Sequence, residues 1–257
     1  MLQCFESIYA QTLLPTEVVL VKDGALTPEL DTLIDNLQRQ HNNLKIVGYD
    51  TNQGLGYALN FGMRHCTYDI VARMDTDDVC TPNRFEEQVG YLATHPDISV
   101  VSAWIDEFVG TPYNVTSTRY VPEYNETICR FAKRRNPVNH PATTFKKQAV
   151  LAVGGYQPFY LFEDYYLWVR LILHGYRFYN IQKPLLYFRQ SEAMFGRRGG
   201  LKYTLSEIKF QHRLYNMGFI SLADVFYNTT VRTVVRLVPN AVRHRVYTHL
   251  LRKASQD

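Results

Sequence analysis

Cysteine is sparse in this chain: Cys4, Cys66, Cys80 and Cys129 are the four present, with no Cys-x-x-Cys pair and no Cys/His cluster. That pattern excludes a disulfide framework and the common zinc modules, and suits reduced thiols in a cytosol. Long apolar runs are missing too. Arg, His or Asp interrupts each apolar stretch well short of the ~20 residues that a bilayer span requires. No basic segment followed by a small-residue cleavage site stands at the start, so neither a span nor export is expected, and the setting is cytoplasmic. The sequons at Asn114, Asn125 and Asn228 are then coincidental. None of the eight histidines falls in an HExxH spacing, and there is no internal repeat, low-complexity segment or nucleic-acid recognition motif.

What is present is a 257-residue chain with 46% hydrophobic and 20% charged residues, enough to bury a substantial core. The net charge of +4 is unevenly distributed. From Arg197 to Asp257 there are 11 Lys and Arg against 3 Asp and Glu, leaving 17 against 21 in the body. A basic tail on a mildly acidic body suggests an anionic partner for the tail, such as a phospholipid surface or a diphosphate-bearing substrate. Nucleic acid is disfavoured because the positive charge is confined to the tail.

The stretch Tyr68–Val79, YDIVARMDTDDV, runs from a strand-like apolar segment directly into Asp75, Asp77 and Asp78. Two carboxylates about 4 Å apart repel by roughly 4 kcal/mol at an effective dielectric near 20, so three at one strand end call for a cation. A divalent metal is one answer; a solvated acidic turn before a helix opened by Pro82 is the other.

Around this stretch the chain alternates. A helix over residues 2–11 precedes the β-branched run Glu17–Lys22, read as a strand buried on both faces that ends at Asp23-Gly24. Thr27 and Pro28 open a second helix, and Leu44–Tyr49 forms another strand. The glycine-bearing segment Thr51–Gly62 leads into a short helix before the Tyr68 strand. Ile98–Ile105 is a further strand, Glu123–Arg135 a helix, and Glu163 starts a mostly buried helix with two adjacent acids. Arg177–Ile181 and Pro184–Gln190 read as a strand pair, followed by helices divided at Pro239. This alternation predicts an α/β fold whose mostly parallel, Rossmann-like sheet is flanked by helices, with ligands beyond the carboxyl ends of its strands. Asp23 and the Asp75–Asp78 cluster both fall there.

An ordered set of segments carries a resemblance: Asp23-Gly24, NQGLGYALNFG (Asn52–Gly62), ARMDTDD (Ala72–Asp78), NPVNHP (Asn136–Pro141), GGY (Gly154–Tyr156) and EDYYLW (Glu163–Trp168). In that order and spacing the chain resembles the inverting family-2 nucleotide-sugar glycosyltransferases of GT-A fold, from about residue 2 to about residue 190. The nearest subset looks like bacterial enzymes of exopolysaccharide and O-antigen synthesis. The resemblance implies a GT-A domain over 1–195 and a helical basic appendage over 196–257. It implies that Asp23 meets the nucleotide base, Asp75 lies near ribose and metal, and Asp77 ligates Mg²⁺ or Mn²⁺ on the diphosphate. Asn139 and His140 lie against the donor sugar, Asp164 is the catalytic base and Glu163 its neighbour on the acceptor side. For Asp78, metal binding and capping of the next helix both remain open.

The partners so implied are a nucleoside-diphosphate sugar donor and a glycan or lipid-linked acceptor. A peripheral membrane contact through the tail is a further expectation, because Val231, Val235, Val238 and Val242 form a stripe beside Arg232, Arg236 and Arg243. A basic helix packed on the catalytic domain is the alternative. The family opens with a further strand, and this chain starts at the helix after it, through a late start assignment or a natural truncation. The processive Gln-x-x-Arg-Trp element is absent, with Arg197 and Arg198 the nearest basic pair, which points to single addition. Two other readings stand beside this one: a catalytically impaired nucleotide-sugar-binding subunit, and a phosphohydrolase built on Asp75 and Asp77.

Overall fold

The computed structural model describes residues 1–190 and 200–237, with side chains from 203 to 232 in the second stretch. Helix α1 (Leu2–Tyr9) buries Cys4, Phe5 and Ile8 and leads into β1 (Val18–Asp23). Helix α2 (Pro28–Gln40) starts as its sequence dictates, with Pro28 in the first turn and the Thr27 hydroxyl accepting the Leu30 N–H at 3.4 Å. Strand β2 (Leu44–Tyr49) pairs with β1 in parallel, Val18 opposite Leu44 through Asp23 opposite Tyr49. Then come α3 (Leu55–His65), β3 (Ile70–Ala72), β4 (Val79–Cys80), α4 (Arg84–Thr94), β5 (Ile98–Phe108), β6 (Val115–Arg119) and α5 (Asn125–Phe131). The remainder is β7 (Thr144–Lys146), α6 (Lys147–Ala152), α7 (Glu163–Leu173), β8 (Arg177–Arg189), α8 (Gly200–Asn216) and α9 (Leu222–Leu237).

Among the described residues the strands form two sheets, β1-β2 and a six-stranded sheet ordered β3-β7-β5-β8-β4 with β6 on β5. The expectation of a mostly parallel sheet holds for the two longest registers, β1-β2 and β5-β8. The shorter pairings β3-β7, β5-β7, β4-β8 and β5-β6 are antiparallel, so the sheet is mixed. The antiparallel pairings begin with β3, and β5 and β6 follow one another with no helix between them, a connection that an antiparallel pair allows and a parallel one does not.

Strand β1 departs from the two-face burial that its apolar sequence predicts, since only Leu20 is fully buried. It pairs with β2 alone, and β3 pairs with β7 alone. The two sheets are joined by helices instead of a ladder: Cys4 and Ile8 of α1 cluster with Val18 of β1 and with Ala72 and Met74 at β3. On α3, Met63 and Leu59 pack with Val71 of β3, and Gly62 lies so close to Val21 that an added Cβ would sit 2.9 Å from its Cγ2. The predicted strand pair over 177–190 is one strand. Its register slips so that Ile181 faces Ala103 while Pro184 faces Trp104, which keeps the proline, with no N–H to donate, inside the strand at an irregularity.

Helix α7 is buried on both sides. Leu167, Trp168 and Leu171 pack with Val100, Phe145 and Phe178 of the sheet, while Tyr165, Tyr166 and Val169 pack with Phe210, Leu214, Phe219 and Ile220. The last four come from α8 and the turn after it, so the C-terminal region shares a core with the helix that carries Glu163 and Asp164. Of the predicted tail stripe, Val231 is exposed, and Arg232 pairs with Glu207 of α8 and does not form part of an outward basic row. The side chains of Val235 and Arg236, and all of Val238, Val242 and Arg243, lie outside the described residues.

Because Phe210 is fully buried between α7 and α8, Phe210→Ala should cost about 3–5 kcal/mol. Thermal unfolding is expected to remain a single transition at lower temperature. A separate early transition with the main one unmoved would mean that the C-terminal helices fold independently of α7.

Candidate active site

The acidic loop begins where β3 ends, and arginines from different elements hold it in place. The Arg73 N–H donates to the Thr143 carbonyl at 2.9 Å, and the fully buried Arg84 of α4 donates through Nη2 to the Arg73 carbonyl at 2.6 Å and to that of Thr143 at 3.3 Å. Arg84 has no carboxylate partner among the described residues; its charge is spent on backbone carbonyls, the Gln88 side chain and the sulfurs of Met74 and Cys80. The Cys4 thiol donates to the Asp75 carbonyl at 3.3 Å. From β8, the Arg189 N–H donates to Asp78 Oδ1 at 2.9 Å and its Nε to the Asp77 carbonyl at 2.9 Å.

So held, Asp75, Asp77 and Asp78 bring carboxylate oxygens within 4.8 Å of one another. Asp77 is exposed, Asp75 half-buried and Asp78 fully buried. Burial pushes the Asp78 carboxyl up to about 8, against the Arg189 hydrogen bond and helped by the neighbouring Asp75 and Asp77 charges. Its Oδ2 is buried without a hydrogen-bond partner. Hard oxygen donors around an orphaned carboxylate oxygen fit a divalent cation. The capping alternative for Asp78 fails: the N-cap position of the next helix is Asn83, and Asp78 turns toward β8.

The glycine loop forms the second wall. Asp23 accepts from the Gln53 N–H at 2.7 Å and the Gly54 N–H at 3.1 Å, so its carboxylate ties the loop to the end of β1. Gly24, at φ 92°, allows the close approach of Asn52. An added Cβ on Gly56 would lie 3.8 Å from the Cβ atoms of Glu163 and Tyr156, which puts the loop against the start of α7.

The third wall is α7 itself, entered through Leu161 at φ 63°, a conformation that costs a non-glycine residue roughly 1 kcal/mol or more. Asn136 donates its Nδ2 to Asp164 Oδ2 at 2.7 Å. Glu163 is raised from the usual carboxylate range by burial first and by the Asp164 charge, with Arg73 opposing. His140 is buried, its Nε2 2.9 Å from the Tyr156 hydroxyl, and burial followed by the Arg73 charge holds it neutral. Asn139 is turned inward: its amide donates to the Ala103 carbonyl at 2.9 Å and the Arg119 carbonyl at 3.2 Å, so it clamps strands and does not face the cleft.

Sequence reasoning missed Arg73, a 6% exposed cation whose Nη2 pairs with Asp75 while Nε and Nη1 have no partner. Its charge reaches Glu163, His140 and Tyr156, so it stands between the acidic loop and α7. Its place inside ARMDTDD was the available signal: a long cation two residues before a cluster of carboxylates is within reach of them.

The family described as Glycosyl transferase family 2 matches residues 1–156. The chain is 39% identical over 251 residues, 98% of its length and 90% of the relative's, to the UDP-Gal:alpha-D-GlcNAc-diphosphoundecaprenol beta-1,3-galactosyltransferase of Escherichia coli. It is 37% identical over 248 residues, 95% of its length and 91% of the relative's, to the amylovoran biosynthesis glycosyltransferase AmsE of Erwinia amylovora. Among solved structures, S. aureus TarS 1-349 in complex with UDP-GlcNAc superposes with a TM-score of 0.65 at 18% identity, over 84% of this chain and 62% of that one. The mannosyltransferase PcManGT of Pyrobaculum calidifontis, in complex with GDP-Man and Mn²⁺, superposes with a TM-score of 0.61 at 16% identity, over 98% of this chain and 78% of that one. The chain belongs to glycosyl transferase family 2 and is a glycosyltransferase of GT-A fold.

Proposed function

We propose that this glycosyltransferase moves one sugar from a nucleoside-diphosphate sugar to a hydroxyl of a growing surface glycan or lipid-linked acceptor, with inversion and with a divalent metal, Mg²⁺ or Mn²⁺. The observation that carries the reading is a pairing of two acidic features: the Asp75, Asp77, Asp78 cluster with its orphaned oxygen, and the separate Asp164 carboxylate held by Asn136. The E. coli relative's printed acceptor, a diphosphoundecaprenol-linked sugar, supports a lipid-linked acceptor. The Mn²⁺ in the PcManGT complex supports the metal.

Asp77, the exposed acid of the cluster, would ligate the metal, with Asp75 and Asp78 beside it. The metal, when bound, neutralises charge on the departing diphosphate. Asp23 and the glycine loop hold the nucleotide base, and neutral His140 supports the donor-sugar side through Tyr156. Asp164 takes the proton of the acceptor hydroxyl, while Asn136 fixes the orientation of its carboxylate. Glu163 lines the acceptor side. Attack opposite the leaving group inverts the anomeric carbon and needs no covalent sugar intermediate.

Asp164→Asn should lower turnover by about 10²- to 10⁴-fold, roughly 3–5 kcal/mol, with donor affinity retained in calorimetry. Near-normal turnover would remove Asp164 from the role and make Glu163 the next candidate. Asp77→Ala should abolish the metal dependence of donor binding; equal donor affinity with EDTA and with Mn²⁺ in the parent chain would contradict the metal site.

Asp78 gives a pH test. Its carboxyl is raised from 3.8 to about 8 in the native state, which therefore holds a proton that the unfolded chain has shed. The metal-free protein should lose stability as pH rises from 5 toward 8, and Mn²⁺, by favouring the anion, should bind more tightly over the same range with proton release. Denaturant titrations at several pH values check the slope, and Asp78→Asn should flatten it.

A further inference from the structure

Helix α9 leaves large apolar side chains in solvent. Leu222 is 66% exposed, and Phe226, one turn along, is 76% exposed; Tyr227 and Val231 form a second pair at the same spacing and are exposed as well. A soluble helix packed on its own domain ordinarily turns such residues inward. Among the described side chains of α9, the inward side carries one apolar contact, Val225 against the Phe210 cluster, and is otherwise polar. Asn228 is buried and donates to the Lys133 carbonyl at 2.9 Å and to Gln211 Oε1 at 2.9 Å, and Asp224 pairs with Arg134 at 2.8 Å. The helix is thus fastened by Val225 and by polar contacts, while Leu222, Phe226, Tyr227 and Val231 stay in solvent.

The segment to which it is fastened is basic. Arg130–Arg135 holds four cations in six residues and no acid. Arg130, Lys133 and Arg134 are exposed, and the Arg134 guanidinium lies 4.4 Å from the Tyr227 ring centroid. Outward aromatic and aliphatic side chains edged by arginine and lysine are the composition of a helix that lies in a phospholipid interface. Among the described residues no helix is long and apolar enough to cross a membrane.

This surface is also joined to the acceptor side of the site. The Tyr165 hydroxyl of α7 donates to the Ala132 carbonyl at 2.5 Å, and Asn136, the residue after Arg135, holds Asp164. We propose that Leu222, Phe226 and Tyr227 of α9, together with Arg130, Lys133 and Arg134, form a docking surface for an anionic phospholipid bilayer. Docking there sets the Asp164 end of the site at the headgroup plane, where a lipid-linked acceptor presents its sugar. The inference rests on the lipid-linked acceptor proposed above, and it differs from the tail stripe expected from sequence in resting on the first turns of α9, Leu222 to Tyr227, and on the Arg130–Arg135 segment.

The test is flotation of the full chain, without substrates, on phosphatidylcholine vesicles with and without phosphatidylglycerol. Binding to the anionic vesicles, weakened by salt, is expected. Leu222→Ser with Phe226→Ser should reduce partitioning by about tenfold or more, and Arg130→Gln with Lys133→Gln should reduce it on anionic vesicles alone. Turnover on a short water-soluble acceptor should stay unchanged in both variants. Absence of flotation by the parent chain would overturn the proposal, as would parental flotation by the serine variant. A serine variant that loses self-association while floating normally would assign the face to a second copy and overturn it too. If the serine variant fails to fold, the glutamine variant decides, since its side chains are exposed. Failure of the acceptor reading is separately visible, as flotation that persists while a lipid-linked acceptor gives no advantage over a soluble one.

Discussion

Mutual repulsion among Asp75, Asp77 and Asp78 is the constraint on which the rest of this structure turns. Three carboxylates whose oxygens lie within 4.8 Å would push a strand end apart, and the fold counters this with arginines from three separate elements. Arg84 secures the backbone at the start of the loop from α4, Arg189 secures its far end from β8, and Arg73 neutralises Asp75 from within. What the arginines leave unsatisfied is Asp78 Oδ2, the one buried carboxylate oxygen of the cluster without a partner. An acidic loop whose backbone is held from several sides, with its most buried carboxylate oxygen left without a partner, is the arrangement on which the proposed cation site rests.

The same economy appears in α7. One helix packs its Trp168 side on the sheet and its Tyr165 side on α8, so its first turn is fixed from two directions before Asn136 adds a hydrogen bond to Asp164. Leu161, at φ 63°, lies just ahead of that turn. The separation between an acid cluster after β3 and the Glu163-Asp164 pair at the start of α7 is therefore a property of the core as much as of the site. Gly56 between them keeps the glycine loop close to Glu163 without filling the cleft.

Much of this was legible in the sequence, for physical reasons that differ by element. Helix α2 announces itself through Thr27, Pro28 and a 3.6-residue stripe, all local signals. The Asp75–Asp78 cluster is visible because unsatisfied charge at a strand end has few uses, and its ordered companions from Asp23 to Asp164 made the family recognisable. What was not legible depends on partners distant in sequence. Arg84 and Arg189 look like surface cations until α4 and β8 are placed against the loop. Asn139 was expected against the donor sugar, yet its amide is spent on the Ala103 and Arg119 carbonyls. Strand β1 was read as buried on both faces because its side chains are apolar, whereas burial depends on neighbours, and it has a ladder on one edge only. Pro184 looked like a strand break because a proline cannot serve a regular ladder; a register slip beside Trp104 accommodates it within one strand.

The central claim is inverting sugar transfer by a base on α7 to an acceptor opposite a metal-bound diphosphate. The most direct measurement is the anomeric configuration of the product, read by proton NMR from the coupling of the anomeric proton. It should be formed in the presence of Mn²⁺ from an α-linked nucleoside-diphosphate hexose such as the UDP-galactose named for the E. coli relative. The account predicts a β-linked product. An α-linked product would contradict it, because retention requires either a covalent sugar intermediate or same-face attack, and neither leaves Asp164 in the role that its geometry supports.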